Sequence, residues 1–375
     1  MSADGTALPD FADFVLATKA HKITPTTEIL NECAKRTYFL ALMLKGRGND
    51  EVVQTGSKII DQIQLKKMNN AGFYRPNQNL QPRGVDTLTQ IAAPWRFHQG
   101  NYGWTNEQVR LNMAAGGNPV DIYTRLKTTW EQACVLDIWD SMESALWDTP
   151  DPAEMEADGG LLPYSIPTFL TADGLAPAGF TTVMTVNPAT EPRWRNQTDT
   201  FDWSVGTAAA TADVFYQAFD RMWRKLRWKR IRGFNSETGS PGTDFDKVKI
   251  VTNQEGVNGY LGVLRASNDR LRANPRGRAD VGWATDEASF NNIEIIDVEE
   301  LDAGNSPTVT AGAPPFYWLN FDYLFPVYHG DTFMEEVGPL RGSVNQPFSW
   351  AVYKNTYYNV FCRSRRRQGL IQTTA

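Results

Sequence analysis

Histidine is the commonest general base, and this chain has three: His21, His98 and His329. His98 stands beside Trp95 and Phe97, and His329 lies in Val327-Tyr328-His329-Gly330-Asp331. None has a nucleophile or an orienting carboxylate at motif spacing, so packed or surface histidines account for all of them. Cys33, Cys134 and Cys362 are too few and too scattered for a disulfide framework or a zinc site. They read as buried free thiols in a reducing compartment. Neither Gly116-Gly117 nor Gly159-Gly160 is followed by the Gly-Lys-Ser/Thr of a phosphate loop. Gly-x-Ser-x-Gly, His-Glu-x-x-His and Cys-x-x-Cys are also missing from the sequence. Asp297, Glu299, Glu300 and Asp302 cluster within six positions. Paired carboxylates can hydrolyse glycosides, but a charged strand end running into a loop explains the cluster more simply. The expectation is a protein without a catalytic, cofactor or metal site.

The basic clusters allow a different chemistry. Arg221, Arg224, Lys225, Arg227, Lys229, Arg230 and Arg232 follow one another against the single acid Asp220, with Trp223 and Trp228 interleaved. Arg363, Arg365, Arg366 and Arg367 form a second cluster. Such residues suit nucleic acid, yet no base-reading motif accompanies them, and the net charge is −6. A solvated helix face, or arginines at subunit contacts, is the simpler reading. The aromatic load is high, at 12 Trp, 13 Tyr and 19 Phe. It fits a chain that buries much surface, within itself or against copies. A carbohydrate binder or carbohydrate-active enzyme with aromatics in a cleft is one alternative. A nucleic-acid-binding protein using the basic helix 219–232 is the other.

The elements that would position these residues are unevenly mixed helices and strands, an α+β organisation. Residues 1–24 read as an arm, followed by a helix from Thr26 or Thr27 to about Lys45. Residues 54–112 hold fifteen Asn or Gln and only three acids, too polar to form a core alone. Ile63 and Leu65 alternate with Gln62, Gln64 and Lys66, and Val85, Thr87, Thr89 and Ile91 mark a returning strand. The pattern predicts a long two-stranded hairpin that needs a partner surface. Asn118 and Pro119 then open a helix running to about Asp148. Ile122, Leu126, Trp130, Cys134, Ile138, Met142 and Leu146 recur every four residues on it. Four residues overshoot one turn by roughly 40°, so successive turns face different partners. Residues 159–200 read as short strand-like pieces. A helix over Ala212–Arg230 with Thr211 as N-cap, a strand Asp244–Asn253, a helix Gln254–Asn274, and strands Ile293–Val298 and Phe316–Asn320 follow. Residues 348–362 read as two short alternating pieces. No apolar run of about 18 residues exists, and Met1–Lys19 lacks the basic start and apolar block of a secretory signal. The chain is therefore expected to be made and kept in a cytoplasm, with no membrane partner.

Several short motifs then fall in order. Pro192-Arg193-Trp194-Arg195-Asn196-Gln197 precedes the Ala212 helix, Ala279-Asp280-Val281-Gly282-Trp283 follows the Tyr260 helix, and Phe316-Tyr317-Trp318-Leu319-Asn320-Phe321-Asp322-Tyr323-Leu324 closes the series. In this order the chain resembles the tailed-bacteriophage major capsid proteins of the Hong-Kong-97-type fold, over most of residues 50–370. Trp283 stands where that family more often has Phe. The resemblance implies a structural virion protein that self-assembles into hexamers and pentamers of an icosahedral shell around double-stranded DNA. It implies an N-terminal arm and helix (1–48), an extended β-hairpin loop (49–112) and a peripheral domain (113–195) with a spine helix (119–148). An axial domain (196–335) and a return to the peripheral domain (336–375) would complete the chain. Its partners would be copies of itself, portal and scaffolding proteins, and cement or decoration proteins. Packaged double-stranded DNA would meet the inner face without sequence specificity. The protein would be assembled in the bacterial cytoplasm and reside in the virion. Candidate interface residues are Lys66, Lys67, Phe73, Tyr74, Trp95, Arg224, Arg227, Arg365 and Arg366.

Overall fold

The computed structural model describes residues 39–45, 52–53, 56–66, 73, 87–107, 119–202, 209–226, 247–271, 288–291, 293–302, 313–341 and 348–374. Within these, 44–45, 52–53, 119–129, 209–213, 264–271 and 374 are described for backbone alone. In chain order the helices are α1 (Phe39–Lys45), α2 (Pro119–Trp147), α3 (Pro152–Met155), α4 (Ile166–Phe169), α5 (Ala209–Leu226) and α6 (Gln254–Leu271). The strands are β1 (Val52–Val53), β2 (Lys58–Gln64), β3 (Leu88–Pro94), β4 (Arg96–Thr105), β5 (Gln197–Asp202), β6 (Val248–Thr252) and β7 (Ala288–Phe290). They continue with β8 (Ile293–Asp297), β9 (Phe316–Asn320), β10 (Leu324–His329), β11 (Glu335–Arg341), β12 (Ser349–Cys362) and β13 (Gly369–Thr374). The chain divides into two compact units, one of residues 1–36, 97–141 and 331–356, the other of 37–96, 142–330 and 357–375.

The larger unit is organised by a mixed six-stranded sheet in the order β5-β13-β9-β6-β8-β7. Alternate residues point to one face: Val248 and Ile250, Ile293 and Ile295, Phe316 and Trp318, and Ile371. Helix α5 covers that face with Phe215, Ala218, Phe219, Met222 and Leu226, and α6 with Val257, Tyr260 and Val263. These spacings are the 3.6-residue stripe of an amphipathic helix. Phe219 sits at the centre, with ring centroids 4.5 Å from Phe215, 5.8 Å from Tyr260, 5.2 Å from Phe316 and 5.2 Å from Trp318. Asn253 caps α6, its side-chain oxygen accepting the Gly256 N–H at 2.8 Å. On the other sheet face Tyr317 meets Trp147, 5.5 Å between centroids, and Trp147 meets Phe39 at 5.4 Å. A buried carboxylate joins α1 to α2: Glu143 accepts the Leu40 N–H at 2.9 Å and the Trp147 indole N–H at 3.1 Å.

The predicted hairpin is present as β2 and β3, paired antiparallel from Lys58↔Pro94 to Gln64↔Leu88. Ile59, Leu65, Ile91 and Ala93 are buried, whereas Gln62 and Gln64 are exposed. The strands are tied to their own unit. The Arg193 guanidinium donates to the Leu65 carbonyl at 2.8 Å, and the Thr185 hydroxyl to the Gln90 carbonyl at 3.1 Å. Lys58 pairs with Asp158 at 2.8 Å, and Arg363 with Asp61. Of the expected tip, Asn69–Gly84, only Phe73 lies among the described residues.

In the smaller unit, β11 pairs antiparallel with the first half of β12, and β4 also pairs with β12. The polar stretch after the hairpin, which carried no strand expectation, is thus a ten-residue strand with Gly100, Tyr102 and Trp104 buried. Two glycines make the packing possible. A Cβ on Gly100 would come within 2.6 Å of Ile138 Cδ1 on α2, and one on Gly103 within 2.7 Å of the Trp350 carbonyl. Lys354 is buried here between Glu131 at 2.8 Å and Glu336 at 3.5 Å. Burial alone would lower its pKa, but the hydrogen bond and charge of Glu131, with Glu336, raise it.

Helix α2 ends at Trp147, one residue short of the expected end, and Pro150 and Pro152 forbid its continuation. Of the four-residue stripe, Cys134 and Ile138 are buried in the smaller unit and Met142 and Leu146 in the larger, with Trp130 half-buried; the side chains of Ile122 and Leu126 lie outside the described residues. Other expectations are corrected. Ser349–Cys362 form one 14-residue strand in place of two pieces; burial alternates up to Tyr358 and then covers both faces, so the period changes within one strand. Helix α5 starts at Ala209, so Thr211 is not its N-cap; the alanine run before it has the highest helix propensity. Of the strand-like pieces expected over 159–200, the structure has only the isolated Val183–Val186 bridge and the start of β5 at Gln197; the rest carries turns and short helices, since proline and glycine disfavour longer ladders there. The expected helix over 26–38 and the helix and strand extensions at 227–230, 244–246 and 272–274 lie outside the described residues.

Candidate functional site

The conspicuous polar construction of the larger unit is a joint built from Pro192–Gln197. Pro192–Trp194 make a single 3-10 turn, and each residue after Pro192 holds a different segment. Arg193 holds the end of β2, as above. Trp194 is buried and donates its indole N–H to the Val183 carbonyl at 3.2 Å. Arg195 donates to the carbonyls of Pro188 at 2.7 Å and Ala189 at 3.0 Å. The buried Asn196 donates to the Thr171 carbonyl at 2.9 Å and accepts from Arg365 at 3.2 Å. Gln197 then begins β5. Opposite it, the turn Val183–Val186 carries Met184 and Thr185 at φ 52° and 71°, a left-handed backbone that residues other than glycine rarely adopt, least of all the β-branched Thr185.

Arg365 answers this joint from the C-terminal side. Its side chain has no exposed surface, and it donates to the Phe169 carbonyl at 2.8 Å and the Leu175 carbonyl at 2.7 Å besides Asn196. Burial pulls its pKa down to about 10, against the opposing influence of Cys362 and Asp173. Arg96 does the same work elsewhere, donating to the carbonyls of Leu162 at 2.8 Å, Met155 at 2.7 Å and Ala157 at 2.9 Å. Asn359 bridges the Tyr164 N–H at 2.8 Å and the Pro94 carbonyl at 2.6 Å. Buried loops without secondary structure leave backbone groups that must be satisfied, and these side chains satisfy them.

The candidate interface residues scatter among these environments. Phe73 is fully exposed. Trp95 is buried and donates its indole N–H to the Gly56 carbonyl at 3.0 Å. Lys66 pairs with Glu191 at 3.2 Å. Arg224 is exposed and pairs with Asp220 on its own helix at 2.6 Å. Arg365 belongs to the subunit's own interior, so it offers no surface to a neighbour, whereas Arg366 is exposed. Lys67, Tyr74 and Arg227 lie outside the described residues. The described ones among these residues are not gathered into one place. Sequence reasoning missed the joint's role as a junction, although Trp194, Arg195 and Asn196 stood in the motif.

The residues considered for catalysis are also placed. His98 Nε2 is 2.9 Å from Ser141 Oγ; burial lowers its pKa, partly offset by Asp137. His329 packs between the rings of Trp95, 5.8 Å away, and Tyr357, 6.3 Å away. Asp297 ends β8, Glu299–Leu301 form a 3-10 turn, and Asp302 accepts the Gln254 N–H at 3.2 Å. Cys134 and Cys362 are buried free thiols. Among the described residues, no group of three or more His, Cys, Asp or Glu could hold a metal ion, and no helix is long and apolar enough to cross a membrane.

No protein-family model matches the chain, and no curated protein matches it. Solved structures do. A chain of the cyanophage A-1(L) capsid asymmetric unit aligns with a TM-score of 0.54 at 12% identity, covering 93% of this chain and 97% of that one. A capsid chain of an empty GTA particle aligns with a TM-score of 0.52 at 11% identity, covering 96% and 98%. At such identities the likeness is one of fold. The α+β fold of this chain is the fold of these capsid proteins, in agreement with the resemblance carried by the motifs.

Proposed function

We propose that the chain is the major shell-forming subunit of a tailed bacteriophage or a related particle, a structural protein without catalysis. The observation that supports this most is the extent of the fold match: almost the whole of this chain corresponds to almost the whole of a capsid chain. In this reading copies form hexamers and pentamers of an icosahedral shell that encloses double-stranded DNA. Portal, scaffolding and cement proteins complete the particle. It is assembled in the bacterial cytoplasm, and the subunit resides in the virion. The hairpin within 49–112 lies over a neighbouring subunit, residues 113–195 and 336–375 form the peripheral domain, and 196–335 form the axial domain.

Exposed apolar residues on the hairpin support an outer partner for it. Phe73 is fully exposed and Ile60 more than half exposed in the single subunit, and such side chains favour protein contacts. Many modest contacts of this kind gain strength through closure of the shell. An aromatic cleft for carbohydrate finds less support, because no tryptophan among the described residues is exposed. Sedimentation and negative-stain microscopy of the concentrated recombinant protein test the proposal. Capsomers or closed shells are the expected result, and a monomer at every concentration overturns it.

A further inference from the structure

The two basic clusters, more than a hundred positions apart in sequence, meet at one place in the larger unit. Residues Arg365–Arg367 make a single 3-10 turn. With three residues per turn, successive side chains leave about 120° apart. Arg365 therefore goes inward, Arg366 outward, and Arg367 lies with its guanidinium carbon 5.8 Å from the Tyr323 ring centroid. Two residues later comes Gly369, where a Cβ would stand 2.7 Å from Met222 Sδ and 3.3 Å from Leu226 Cδ2. The missing side chain lets the end of α5 settle against the arginine turn. Between them is a cleft of about 200 Å³ lined by Lys225, Leu226, Arg366 and Arg367.

We infer that this cleft is a binding site for a phosphate-type oxyanion, carried by a nucleic-acid backbone or supplied as free phosphate. Among the described residues, three of the four that line it are cations. The carboxylate beside it, Asp199, is already shared between Arg221 at 2.9 Å and Lys225 at 3.5 Å. Lys225 is also held by the Thr198 carbonyl at 2.7 Å, so its ammonium is positioned before a ligand arrives. Arg366 is exposed and offers the planar donor fork that matches phosphate oxygens, and Arg367 adds a further positive charge to the lining. Carboxylates of a second copy suit the cleft less well. The acidic stretch 148–158 is engaged within its own subunit: Asp151 caps α3, Glu154 accepts the Leu161 N–H, and Asp158 pairs with Lys58. The described lining residues all come from one chain, so the inference does not depend on the shell reading.

The test uses the full unassembled chain, with fluorescence anisotropy of a short labelled DNA duplex and calorimetric titration of inorganic phosphate and tripolyphosphate. Arg366→Gln and Lys225→Gln should each weaken binding by about tenfold or more, the usual effect of losing a hydrogen bond to a charged group. Each should also reduce the log–log salt slope by about one. Arg341→Ala, on the exposed strand β11 of the other unit, should change neither, and unfolding curves of all variants should match the parent. Duplex binding that tripolyphosphate displaces only weakly assigns the site to a phosphodiester backbone. Phosphate binding with the same dependence on Arg366 assigns it to the free ion. Absence of binding by either probe overturns the inference, as does binding that Arg366→Gln and Lys225→Gln leave unchanged. Displacement of the duplex by a peptide of residues 148–158 at equal concentration would overturn it in favour of contact between copies.

Discussion

The Arg193 guanidinium holds the Leu65 carbonyl at 2.8 Å across 128 positions of sequence, fastening the end of β2 to the Pro192–Gln197 joint. The neighbouring Lys66–Glu191 pair has an exposed lysine and adds little, since exposed ion pairs are screened. Arg193→Ala should therefore loosen the hairpin locally while costing the whole subunit only about 1–2 kcal/mol. Hydrogen exchange is the measurement. The Ile63 and Ile91 amides should exchange roughly ten times faster, with those of β6 and β9 unchanged. Uniform acceleration would mean that the contact supports the whole fold and not the hairpin alone.

Adjacent arginines in one turn should behave in opposite ways. Arg365→Ala leaves the buried Phe169 carbonyl without the guanidinium that donates to it, and takes one donor each from the Leu175 carbonyl and the Asn196 side chain, which keep Thr171. One buried acceptor stripped of its partner costs about 1–3 kcal/mol, and the space vacated by a fully buried side chain adds to it, so a loss of about 2–4 kcal/mol is expected. Arg366→Ala, at an exposed position, should change stability by no more than about 0.5 kcal/mol. Urea unfolding of the two variants decides it, and equal losses would contradict the division of the turn.

That pair also shows what could be read in the sequence. Regular periodicity carried well: the Phe219 face of α5, the alternation in β2, Val248 and Ile250 in β6, and Phe316–Asn320 all fell where spacing placed them. In α5 and β2 one face meets the core, and in β6 and β9 residues on both faces of the sheet are buried. Runs of like residues were opaque. Arg365, Arg366 and Arg367 are identical letters, and only the 3-10 turn separates a buried clamp from a cleft lining. Strand β4 was hidden because its buried positions include Gly100, whose contribution is the absence of a side chain. The junction at Pro192–Gln197 was invisible as a junction, since its partners, Leu65, Thr171, Val183 and Arg365, come from four separated segments. The meeting of the two basic clusters depends on β5 and β13 lying parallel, a pairing that no local pattern announces.

His98 should give the smaller unit a pH dependence. Burial holds its folded pKa below the ordinary value of 6.5, with Asp137 opposing. The unfolded chain then takes up a proton before the folded one does. By linkage, stability is full above about pH 6.5 and falls as the pH drops through that value. His98→Gln, which keeps a polar group near Ser141, should flatten this part of the profile. Thermal unfolding from neutral to mildly acidic pH measures it, and identical profiles for parent and variant would exclude His98 as the source.

The last prediction concerns the fit between β4 and α2. Gly100 lies under Ile138, which is almost completely buried, and a Cβ at position 100 would meet Ile138 Cδ1 at 2.6 Å and Cys134 Sγ at 2.9 Å. Close-packed interiors resist both excess and missing volume. Gly100→Ala should therefore destabilise by about 1–3 kcal/mol through overpacking, and Ile138→Ala by about 2–5 kcal/mol through the cavity it leaves. The two changes act on the same space, and the methyl added by one occupies part of the void left by the other. The double variant should then be more stable than the sum of the single losses allows, by about 0.5–3 kcal/mol, the usual range for residues in contact. Urea denaturation of the four proteins closes the cycle. Strict additivity would show that the strand and the helix do not share this contact in solution, and would remove the reason given for glycine at position 100.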